Sequence, residues 1–396
     1  MKKGLLMLLA GLMTIGVSVG AFADARLDSM AADARQVGDM DLIWYYPNMA
    51  VDYKNTVDFR LFPYNDDEGE GDNEWGGALL EVDPSIGTLG FYVNRPVDDD
   101  SINYGLLDSG PVRPLFRYSQ GRVGNAPWYM NDSEYVNDAD VFWAKDNVGL
   151  HFTYGDGGTE TQVYGLSGGI GLGDVGPFGD LNVHLGYTGE SSNYGSHDHN
   201  YASTTTLGAL TTSAINADND WRTYLDLQFD GSNYNEDEPG NVYGDYAVQL
   251  GTALNHKIDS GKGLLSTGLL IDYLNAWSPS VDEGFAYEEW NLLWNASIEA
   301  PVNDWLTLRA GLTKDIVSRL YDKYRSYFGQ PIYSNNADDN VEFSTGFAIN
   351  WQNFTLDTTV SAESLENSIN NVEPGRGIFF GGEIVEVDEA DLKYKF

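Results

Sequence analysis

The chain has 396 residues and carries 60 Asp and Glu against 22 Lys and Arg, a formal net charge of −38. Phosphate binding needs clustered Lys and Arg, so nucleic acid is excluded as a partner. With no cysteine, thiol chemistry, Cys-ligated zinc and disulfide staples are excluded too.

At the N-terminus, Lys2 and Lys3 precede the apolar run 4–20, and Ala21-Phe22-Ala23 follows it. This is a charged n-region, an h-region and an A-x-A cleavage site, which predicts a signal peptide over 1–23 and export of the remainder. Loss of Lys2 and Lys3 takes the charge from −38 to −40. No other apolar run approaches the length of a spanning helix. Residues 24–52 are expected to form a periplasmic N-terminal segment or plug. Within it, "DARLDSMAADARQV" (24–37) is either a helical piece or a disordered lead-in.

From residue 53 to 396 the dominant period is two. In "NTVDFRLF", Val57, Phe59 and Leu61 oppose Thr56, Asp58 and Arg60. Leu150, Phe152 and Tyr154 oppose His151 and Thr153, and Leu181, Val183, Leu185 and Tyr187 oppose Asn182, His184, Gly186 and Thr188. Such alternation means strands with one apolar and one polar face. Strands are predicted at 53–62, 76–82, 86–94, 139–144, 147–154, 161–172, 181–188, 221–229, 245–257, 263–274, 288–300, 304–314, 341–350, 353–361 and 384–396. A weak candidate, "ASTTTLGALTTS" (202–213), is needed to keep long and short connections alternating. It brings the count to about 16, with 14 as the alternative.

A soluble sandwich would bury the apolar faces, whereas a membrane barrel turns them to lipid and its polar faces to the lumen. Charges in mid-strand favour the barrel. So do long connections alternating with short ones, as extracellular loops and periplasmic turns do. Tyr45, Tyr46, Trp143, Trp221, Trp290, Trp305 and Trp351 lie near strand ends, where an interfacial girdle would sit. The expected fold is therefore all-β, a transmembrane antiparallel barrel over 53–396. Its expected pore-lining residues are Lys54, Asp58, Arg60, His151, His184, Arg222, Asp226, Arg309 and Asp357.

Among the connections, "PYNDDEGEGDNE" (63–74) makes Asp66, Asp67, Glu68 and Asp72 weak candidate Ca²⁺ ligands, but their spacing fits no EF-hand register. A solvated acidic loop is the simpler reading, and no cofactor is expected. His197 and His199 in "SHDHN" lack a third metal ligand. The five histidines are scattered and no nucleophile motif is visible, so an enzyme is not expected. "DIVSRLYDKYRSYF" (315–328) has helical spacing and is expected to be a short helix in an external loop.

The chain closes on "DLKYKF", in which Leu392, Tyr394 and Phe396 alternate with Asp391, Lys393 and Lys395. This resembles the C-terminal signature of bacterial outer-membrane β-barrel proteins. The resemblance implies a bacterial outer-membrane location, contact with lipid and lipopolysaccharide, and recognition of the last strand by the assembly machinery. "GDMDLIWYYPNMA" (38–50) is similar, more loosely, to the segment before the first strand of fatty-acid-transporter-type barrels, although Pro47-Asn48 reverses that pattern's order. That resemblance implies a lumen plug. In general porins a long loop folds inward and sets the constriction. By resemblance to them, the segment 95–138 offers Arg113, Arg117 and Arg122 as constriction-loop candidates, and the chain could assemble as a homotrimer. The segment lacks the acidic-Phe-Gly-Gly pattern of those loops, so a purely external loop stays open.

The expected function is a channel of porin type for passive diffusion of small hydrophilic solutes, cation-preferring because of its negative field. Three alternatives remain: a transporter of hydrophobic molecules, a surface-structural or adhesion barrel, and a soluble exported sandwich.

Overall fold

In a computed structural model the described residues are 25–61, 75–93, 137–156, 161–192, 200–233, 242–278, 285–322, 332–334, 341–360 and 387–395. The segment 1–23, expected to be a signal peptide, lies outside them. So do Asp66, Asp67, Glu68, Asp72, Arg113, Arg117, Arg122, His197, His199 and Phe396.

The strands run in chain order. They are β1 (Thr56–Leu61), β2 (Trp75–Asp83), β3 (Gly87–Val93), β4 (Asn137–Lys145), β5 (Val148–Asp156), β6 (Thr161–Asp174), β7 (Asp180–Ser192) and β8 (Asn200–Ala214). The second half contributes β9 (Asn219–Asn233), β10 (Val242–Ile258), β11 (Gly263–Ser278), β12 (Phe285–Asn303), β13 (Leu306–Asp322), β14 (Ile332–Ser334), β15 (Val341–Trp351), β16 (Phe354–Val360) and β17 (Val387–Lys395). Each pairs antiparallel with its chain neighbour, and β17 pairs with β1, so the sheet closes. The short β14 shares the β13 edge with β15, so seventeen strands fill sixteen positions around the barrel. The weak candidate at 202–213 is a full strand, β8, paired on both sides.

The faces divide as membrane strands require. Leu89, Phe91, Leu150, Phe152, Leu166, Leu185, Leu225, Phe229, Leu269, Ile271 and Leu308 are exposed on the outside. Between them in the chain, Tyr92, His151, Thr153, Ser167, His184, Asp226, Asp272 and Arg309 are buried inside. A soluble protein rarely exposes an apolar surface this extensive, whereas lipid accepts it. No helix among the described residues is long and apolar enough to cross a membrane.

Two expectations fail. Residues 315–322 are not helical: β13 runs on to Asp322, paired with β12 as far as Tyr287 and with β14. A β-bulge at Leu292/Leu293 absorbs the register change, and two ready partner edges outweigh local helical spacing. Tyr45 and Tyr46 are not girdle residues, because both are buried inside the barrel. Trp221, Trp305 and Trp351 are exposed beside short turns, as a girdle places them.

Candidate functional site: the occupied bore

The segment before β1 lies inside the barrel. It folds as helices Ala25–Met30, Ala34–Val37 and Leu42–Tyr45 and a 3-10 turn Pro47–Val51. Asp33 caps the second helix through a capping box with Gln36, and Gly38 ends it in the left-handed region at φ 78°. The first helix packs on β12, β13 and β15–β17, the second on β9–β11, and the 3-10 turn on β3–β6. The segment thus touches the wall on three sides, in the half of the bore nearest the short turns.

Inward-facing wall glycines make room for it. A Cβ on Gly149 would strike Pro47 and the backbone nitrogen of Asn48, and one on Gly311 would strike the backbone of Met30. A side chain on Gly169 would meet Asn48, and one on Gly346 would stand 2.5 Å from Ser29. Glycine costs stability in a strand, and close backbone approach is the usual reason for it.

Ion pairs fix the first half of the segment. Arg35 donates to Asp33 and, through Nη1, to Asp226 of β9. Its guanidinium lies between the rings of Tyr45 and Tyr224, 4.7 and 4.2 Å from their centroids. Burial alone would lower the Arg35 pKa, but Asp33, Tyr224 and Asp226 more than offset it, and it is held well above its ordinary value. Arg26 donates to Asp39 at 2.5 Å and to Glu299 at 2.8 Å. Glu299 also accepts from Arg309 at 2.7 Å, and Arg309 donates to Asp357 at 2.7 Å. Lys393 of the closing strand stands 3.8 Å from Asp357 and 4.0 Å from Asp391, so this charge network reaches the β16–β17–β1 seam.

Aromatic packing fixes the second half. Trp44 meets Tyr92, Phe142 and His151 edge-on at 5.1, 4.9 and 5.6 Å, and Phe142 stacks on His151 at 4.2 Å. His151 Nε2 is 2.6 Å from Asp140 and Nδ1 is 3.4 Å from Ser167 Oγ. A Ser, a His and an Asp meet here, but β5 and β6 are each paired on both sides, which commits their backbone N–H groups to the ladder. The trio forms a buried polar cluster under Trp44.

Among the residues expected to line the pore, Asp58, His151, His184, Asp226, Arg309 and Asp357 are buried on the inner face. Arg222 is half-buried and pairs with Asp220 at 3.4 Å. Lys54 precedes β1 and pairs with Glu81 at 2.7 Å. Arg60 lies in β1 opposite Trp75 and Asp391. Leu392 faces Phe59 and Leu356 across the seam, and Tyr394 faces Val57 and Phe354. Sequence reasoning missed Arg26, Arg35, Trp44, Asp140, Asp272 and Glu299. Asp140 and Asp272 share the inward period of their strands and could have been found, whereas the segment's own contacts carry no period.

No family model matches the chain, and no curated protein matches it. Among solved structures it is similar to the siderophore receptor PirA from Acinetobacter baumannii, at 10% identity and a TM-score of 0.32, over 77% of this chain and 61% of that one. The chain thus spans about three fifths of that receptor's length.

Proposed function

From a closed barrel of the bacterial outer-membrane kind, greasy outside and polar within, we propose that the chain sits in that membrane and conducts small hydrophilic solutes under the control of its own N-terminal segment. The observation that carries this reading is the placement of residues 25–53 across the bore, keyed into wall glycines and tied by Arg26 and Arg35. A general porin with an unobstructed lumen is the simpler expectation, but sixteen strands leave a water-filled channel only where nothing fills it. Carriage of hydrophobic molecules would want an apolar pocket beyond the segment, and the wall there carries Asp226, Gln249, Asp272 and Asn291. The acidic chain favours cations as the permeating species. Lipid and lipopolysaccharide around the barrel, the assembly machinery reading the last strand, and a trimeric state belong to the same proposal.

Planar bilayers in asymmetric salt test it. The intact chain should conduct little, while Arg35→Ala and Gly149→Val, which loosen the segment at two separate points, should conduct several-fold more with a cation-side reversal potential. Equal conductance in all three folded proteins would overturn control by the segment, and an anion-side potential would overturn the selectivity.

A further inference from the structure

The inner wall changes character over one step along β9–β12. Nearer the short turns, Tyr224, Gly251, Leu270 and Leu293 oppose one another on consecutive strands. Tyr224, Leu270 and Leu293 pack into the apolar cluster with Leu27, Met30 and Tyr45 of the segment. Two residues further from those turns, the directly opposed side chains are Asp226, Gln249, Asp272 and Asn291. Thr206 and Gln228 extend this row upward on β8–β9, also directly opposed. Neighbouring strands lie about 4.8 Å apart, so these groups form a polar shelf across five strands.

The shelf is buried yet incompletely satisfied. Thr206, Asp226 and Gln249 are 1, 2 and 2% exposed, and Thr206 Oγ1, Asp226 Oδ1 and Gln249 Oε1 have no hydrogen-bond partner. Asp226 spends its other oxygen on Arg35, and its Oδ1 stands 3.8 Å from His184 Nδ1, too far for a hydrogen bond. Each such atom is costly to bury unless something donates to it. A wall built only to hold the segment would continue the apolar row instead. All three unmet atoms can accept, two carboxylates stand in the row, and Arg35 is already divided between Asp33 and Asp226.

We infer that this shelf is a solute-binding subsite for small organic cations carrying N–H donors, meeting Thr206, Asp226, Gln249 and Asp272 on the side of the segment facing the long connections. The inference rests on the barrel being a solute route and names the class of solute it takes.

Agmatine, which carries a guanidinium and an ammonium, is the probe, and uncharged xylitol is the control. Calorimetry on the full chain in detergent should show saturable agmatine binding and none for xylitol. Gln249→Leu and Thr206→Val each remove one acceptor at nearly constant volume. Each should weaken binding about tenfold, the loss of one such hydrogen bond, while heat-modifiable migration on gels shows the barrel still folded. Absence of saturable binding, or binding undiminished in both folded variants, overturns the subsite. Equal binding of xylitol overturns the cationic class. Binding is read independently of conductance, so agmatine binding to a protein that never conducts would leave the subsite standing while sinking the channel.

Discussion

Tyr53 donates its hydroxyl to the backbone oxygen of Asp39 at 2.6 Å, just before the segment joins β1. Burial, and then the charge of Asp39, pushes its pKa above the ordinary value, and burial does the same to Tyr46. A phenol whose pKa is raised on folding contributes stability that is fully present below the unfolded value of about 10. That contribution is lost as pH climbs through the folded value. The seating of the segment should therefore be insensitive to these phenols at neutral pH and weaken only in strong alkali. Spectrophotometric titration of tyrosinate should show the Tyr53→Phe and Tyr46→Phe variants lacking late-ionising groups, and loss of an early one instead would contradict the burial. At this scale the sequence was partly legible. His184, Asp226 and Arg309 follow from strand alternation, but nothing local foretold that Arg35 would reach Asp226 or that Arg26 would share Glu299 with Arg309.

Strand by strand, alternation carried the reading, because a wall with lipid on one side and polar groups on the other imposes period two on every element. Even β8, rich in Thr, follows it, with Thr204 and Thr206 turned inward and Leu207 outward. The extension of β13 past residue 314 was illegible, since pairing with β12 and β14 decides it rather than anything within the segment. The N-terminal segment was legible only through a loose resemblance. Its helices are at most six residues long and stand by docking, not by propensity. Docking at this level depends on inward glycines, so Gly311→Val should unseat the first helix, where a side chain would enter the backbone of Met30. Trypsin should then cut after Arg26 or Arg35 at least tenfold faster than in the unaltered protein, with the barrel fragment resistant. Unchanged protection would mean the helix is held without that close approach.

Taken whole, the sheet of described residues closes on itself, because β17 returns to β1 along the register Thr56↔Lys395 to Leu61↔Ala390. In lipid an open edge would leave backbone groups unsatisfied at several kcal/mol each. Deleting 387–396 should abolish heat-modifiable migration on gels. A compact, heat-modifiable truncation would show that β16 can close on β1 unaided. Closure also bears on the order of events during biosynthesis. Arg26 and Glu299 bond across 273 positions of sequence, and the network they start reaches Lys393. The ribosome finishes the N-terminal helices long before any of their partners exist, and the cavity that receives them exists only after the final strand has joined the first. The segment ahead of β1 is synthesised before the strands that enclose it, yet it is the last part that can settle.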